Sequence, residues 1–81
     1  MSSDRHEKIQ TLDVTLWVGK SGIEAVTEEL TGQFKERDYV KVKFHRSARA
    51  GTDTELLAEE LAERVGASVV TTRGHTAVLE K

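Results

Sequence analysis

The chain has 81 residues, with 12 Lys and Arg against 14 Asp and Glu, a net charge of −2 at pH 7, and neither Cys nor Pro. This length fits one small domain with a modest core. The lack of cysteine excludes a disulfide framework and a thiolate metal site, and no apolar run approaches the roughly 20 residues of a membrane span. The polar N-terminus lacks the apolar core of a signal peptide, so a cytoplasmic protein with no membrane partner is expected.

Residues 1–10 are polar and read as a short N-terminal segment, frayed or briefly helical, ahead of a domain over 11–81. Leu12, Val14, Leu16 and Val18 alternate with polar residues and Trp17, the period of a strand with one buried face. Gly19-Lys20-Ser21-Gly22 closes that strand. Ile23, Val26, Leu30 and Phe34 then recur at helical spacing, with Gly32 weakening the last turn. Val40, Val42 and Phe44 alternate with Lys41, Lys43 and His45, giving a second strand.

After a loop containing Gly51, Thr52 and Glu55 have the spacing of a capping box. Leu57, Leu61 and Val65, with Leu56, Ala58 and Ala62 beside them, predict a second helix that Gly66 stops. Residues 68–72, β-branched from Val69 on, read as a short strand, Arg73-Gly74-His75 turns the chain, and 76–80 returns antiparallel. The order is βαβαββ. Strands flanking a crossover helix lie parallel and the hairpin is antiparallel, so the sheet is mixed and the fold class α+β.

A strand-to-helix turn with two glycines around Lys20 and Ser21 suits an anion. Glycine permits close approach of the backbone, and the helix start offers free N–H groups and a positive dipole end. The turn is not a nucleotide-binding P-loop, because the first glycine of that motif would fall at Val14. No side chain is placed beside Ser21 to activate it. The acids Glu55, Glu59 and Glu63, four residues apart, read as a solvated helix face. The histidines His6, His45 and His75 have no metal-ligand spacing. No catalytic set, metal, cofactor or small-molecule substrate is expected.

Charge is segregated along the chain. Lys41, Lys43, Arg46 and Arg49 follow one another without an acid, whereas Asp53, Glu55, Glu59, Glu60 and Glu63 follow without a base. An acidic protein can therefore present a basic face. Lys20, Arg73 and His75 extend that face. Trp17 and Tyr39 have the parity of residues turned away from the core, where they suit stacking on unpaired bases or packing under the N-terminal segment.

The chain resembles the CRM domain, the chloroplast RNA splicing and ribosome maturation family, including its stand-alone YhbY-like members. Four features carry the resemblance: Val18-Gly19-Lys20-Ser21-Gly22-Ile23, which is similar to the family's Gly-x-x-Gly loop; Val40-Lys41-Val42-Lys43-Phe44; Val65-Gly66-Ala67 before a valine-rich strand; and the ending Arg73-Gly74-His75-Thr76-Ala77-Val78-Leu79. His75 stands where the family commonly has Lys or Arg, and residues 1–10 stand where it has a longer basic helix.

The resemblance implies a βαβαββ fold akin to the C-terminal domain of the third bacterial translation initiation factor. It also implies RNA binding through Gly19, Lys20, Ser21 and Gly22 with Lys41, Lys43, Arg46, Arg49, Arg73 and His75. The implied partner is ribosomal or other structured RNA, in pre-ribosomal particles. Two alternatives stay open. One is an Alba-like nucleic-acid-coating protein, against which the short final hairpin counts. The other is a protein-docking module that uses the acidic second helix.

Overall fold

A computed structural model describes residues 12–81, so the polar segment expected at 1–10 lies outside the described residues. Apolar residues at alternate positions build β1 (Val14–Val18), β2 (Tyr39–Phe44), β3 (Ser68–Arg73) and β4 (Thr76–Glu80). Helices α1 (Thr27–Gln33) and α2 (Thr54–Val65) and two 3₁₀ turns, Ile23–Val26 and Arg46–Ala48, complete the described elements. The sheet order is β1-β2-β4-β3. β1 and β2 are parallel, and the other two pairings are antiparallel. The mixed βαβαββ sheet expected from the sequence is therefore the observed one.

One face of the sheet, with Leu16, Val18, Val40, Val42, Phe44, Ala77 and Leu79, packs against Ile23, Val26 and Leu30 and against Leu57, Leu61 and Val65 of α2. Burial of these side chains is the main favourable term in a domain of this size.

Four local expectations change. The helix expected from Ile23 begins as a 3₁₀ turn and becomes α-helical only at Thr27. The Thr27 hydroxyl donates to the Ile23 carbonyl at 2.9 Å, and Thr31 bonds the Thr27 carbonyl likewise. Such back-bonding competes with regular helix geometry. In β1, Val14 pairs with Lys41 and Leu16 with Val42, so Thr15 is an extra residue. This bulge breaks the alternation, and Leu12 and Val14 are half-buried and outside the core cluster.

The N-cap of α2 is Asp53, not Thr52. Its carboxylate accepts from the Leu56 amide at 2.9 Å, and its backbone is extended as a cap requires. Leu56, beside the buried seam of Leu57, Leu61 and Val65, lies on the solvent side of α2, 56% exposed. Gly66 ends the helix in the left-handed conformation, φ 69°. The helix thus stops at Gly66 as expected, and Ala67 beyond it donates to the Ala62 carbonyl at 2.8 Å.

Candidate nucleic-acid interface

Strand direction determines what gathers at each end of the sheet. β1 and β2 run parallel, so the loops that follow them leave from the same end. β4 is antiparallel to β2, which brings its first residue and the last residue of β3 to that end as well. Two backbone bonds fasten the edge. The His45 amide donates to the Val18 carbonyl and the Phe44 amide to the His75 carbonyl, both at 2.8 Å. The Gly19–Gly22 turn, the segment from His45 to Thr52 and the Gly74-His75 turn therefore lie side by side along one end.

The glycine turn is closed by the Gly22 amide donating to the Gly19 carbonyl at 2.9 Å. Lys20 and Ser21 form its exposed crown. Gly22 has φ 79° and ψ −176°, a region open essentially to glycine alone. Gly19 is different. It lacks a positive φ, and a Cβ built on it meets nothing within 4 Å. The fold itself thus gives no reason for glycine at 19.

The segment expected as the first turn of an α-helix is a 3₁₀ turn, and Glu24 in it pairs with Arg64 at 3.6 Å.

In the second loop Arg46 is exposed. Arg49 is half-buried, and its Nε donates to the Phe44 carbonyl at 3.2 Å, which anchors the side chain at the end of β2. At the hairpin Arg73 and His75 are exposed. Gly74 takes φ 60°, and the two-residue turn leaves no room for the hairpin arm of an Alba-like protein. A groove beside it is lined by Arg49 and His75 together with Thr52, Asp53 and Glu55.

Lys43 reaches the outer face of the sheet at the same end, whereas Lys41 is half-buried one pleat further away. The structure thus brings together Gly19, Lys20, Ser21, Gly22, Lys43, Arg46, Arg49, Arg73 and His75, with Lys41 behind them.

Trp17 and Tyr39 part company. Trp17 pairs with Lys43 at the loop end and is 51% exposed. Tyr39 begins β2, pairs with Glu80 and is half-buried at the opposite end. Lys35 and Arg37 precede β2 at that far end too. Sequence reasoning missed Thr76, which pairs with both Lys43 and Arg73. The signal was present, since a two-residue hairpin makes its flanking residues partners.

Glu55, Glu59, Glu60 and Glu63 are exposed on α2, and Glu60 shares Arg64 with Glu24. Among the described residues no group of three or more His, Cys, Asp or Glu could hold a metal. Among them, also, no helix is long and apolar enough to cross a membrane.

The family model of the CRS1/YhbY (CRM) domain matches residues 4–81. The chain belongs to the CRM domain family. This CRM domain is 40% identical over 72 residues to a probable RNA-binding protein of Methanocaldococcus jannaschii. That match covers 89% of the chain and 54% of the relative, so the chain spans about half the length of the curated relative it matches.

Proposed function

We propose that this CRM domain is a non-catalytic RNA-binding protein that acts on ribosomal RNA or pre-ribosomal particles during ribosome assembly. The observation that carries the proposal is the convergence of three loops, with Lys20, Arg46, Arg49, Arg73 and His75, at one end of the sheet. Family membership and the probable RNA-binding relative support it.

In this mechanism the backbone of Gly19 lies against RNA, which explains a glycine that the fold does not require. The Gly22 amide is committed to the Gly19 carbonyl. The phosphate contact therefore belongs to the crown, to the Lys20 and Ser21 amides and the Lys20 ammonium. Lys43, Arg46, Arg49 and Arg73 continue the track, with Lys41 behind it. Contacts of this kind position a protein without reading bases, so recognition is of RNA shape or of unpaired loops.

The test is binding to ribosomal RNA fragments, single strands and duplex DNA across a salt series, with Gly19→Asp beside the native chain. Preference for RNA, lost on Gly19→Asp in a folded protein, is the expected result. Absence of nucleic-acid binding near physiological salt would leave the acidic face of α2 as the surface to pursue, in a protein-docking role.

A further inference from the structure

Across the loop end of the sheet, on the face opposite the helices, four residues from four strands stand in one row. Trp17 pairs with Lys43, Lys43 with Thr76, and Thr76 with Arg73. We propose that this row is a base-stacking subsite for an unpaired stretch of RNA. The Trp17 ring would take a base, and Lys43 and Arg73 the phosphates beside it. The proposal rests on the RNA-binding function put forward above and adds to it a second surface and a strand state.

The row has what such a subsite requires. Trp17 is 51% exposed, whereas the residues on either side of it, Leu16 and Val18, are fully buried in the core. The indole is thus held on a rigid strand and left in water. Stacking surfaces for unpaired nucleic acid join an aromatic face to flanking cations, because every base has a π-face and every nucleotide a phosphate. Here the residue next to Trp17 is Lys43, and no acid interrupts the row. The outward acid Glu80 is at the far end of β4.

Three interstrand steps of about 4.8 Å give the row a length of roughly 14 Å, room for a short run of nucleotides. It is also continuous with the proposed grip. Trp17 lies two residues before Gly19, and Arg73 begins the turn that carries His75. A strand held at the glycine turn can therefore pass directly onto it. A base inside a duplex has both faces covered by its neighbours, so only unpaired RNA can occupy Trp17.

Trp17 is the only tryptophan in the chain, so its emission reports on this position alone. The experiment titrates the protein with an unstructured oligoribonucleotide of mixed sequence and with the same strand annealed to its complement. Indole fluorescence and the anisotropy of a label on the RNA are followed together. The expected result is quenching by the single strand and not by the duplex. Trp17→Ala should lose about 5- to 150-fold in single-strand affinity, with duplex affinity unchanged and Trp17→Phe recovering part of the loss.

Anisotropy that reports binding while indole emission stays constant, and while Trp17→Ala binds like the native chain, overturns the subsite and leaves RNA binding standing. Equal quenching by the duplex overturns it as well. No anisotropy change with either RNA, while a labelled ribosomal RNA fragment still binds, overturns the subsite alone, and no change with that fragment as well overturns both proposals.

Discussion

Thr15 and Gln33 exchange two hydrogen bonds between β1 and the end of α1. The Thr15 hydroxyl donates to Gln33 Oε1 at 2.7 Å, and Gln33 Nε2 donates to the Thr15 carbonyl at 2.9 Å. The bulge makes this possible. As the extra residue of β1, Thr15 is released from the alternation and turns towards the helix. A seven-residue helix has little stability of its own, and this pair fastens its last turn to the sheet.

Gln33→Ala removes both bonds and leaves the part-buried Thr15 carbonyl without its partner. A loss of about 1–3 kcal/mol is expected. Urea unfolding measures it as a lower midpoint at constant slope. A midpoint equal to that of the native chain would mean that the pair contributes no net stability.

The cap of α2 separates two adjacent residues. Asp53→Ala deletes the acceptor for the Leu56 amide and should cost about 0.5–2 kcal/mol. Thr52→Ala should leave the thermal midpoint nearly unchanged, whereas a capping box at Thr52 would reverse the order. In a domain of this size each kcal/mol moves the midpoint by about 4–8 °C, well within calorimetric reach.

The two glycines of the turn have different duties, and alanine separates them. Gly22→Ala forces a Cβ into a backbone region that costs of order 1–3 kcal/mol, so it lowers stability. Gly19→Ala enters open space at ordinary φ, and its stability should lie within about 0.5 kcal/mol of native. Its affinity for RNA should nevertheless fall. Paired melting and binding curves on both variants check this.

Salt dependence tests the map of charges. Removal of a side chain that contacts phosphate reduces the slope of log affinity against log salt by about one. Lys20→Ala, Arg46→Ala and Arg73→Ala should each do so. Lys35→Ala, at the opposite end of the sheet, should leave the slope as it is. Equal effects at both ends would mean a diffuse field rather than a track.

The order of elements was legible in the sequence because it is written in periods. Apolar residues two apart gave the strands, residues three and four apart gave the helices, and Gly66 and Gly74 punctuated them. The gathering of Lys20, Arg46 and Arg73 was legible only in outline, since it depends on strand direction and sheet order. Whatever a bulge or a side-chain bond decides was not legible. Val14 leaves the core because Thr15 is inserted. The first helix opens with a 3₁₀ turn at spacing that reads as α-helical, and Asp53 rather than Thr52 takes the cap because its backbone is extended and its carboxylate meets the Leu56 amide. Trp17 and Tyr39 share a parity but sit at opposite ends, which no alternation pattern distinguishes.

The register irregularities of this sheet fall on its two outermost strands. Thr15 interrupts β1 and Val70 interrupts β3, while the inner pairing of β2 with β4 runs without a break. A strand edge recruits other chains only where several consecutive N–H and C=O groups present an even template. Both rims here are broken near the middle, so neither offers a long template to a second copy or to a partly folded neighbour. Two copies brought together on one RNA, in the function proposed above, would therefore keep their sheets separate.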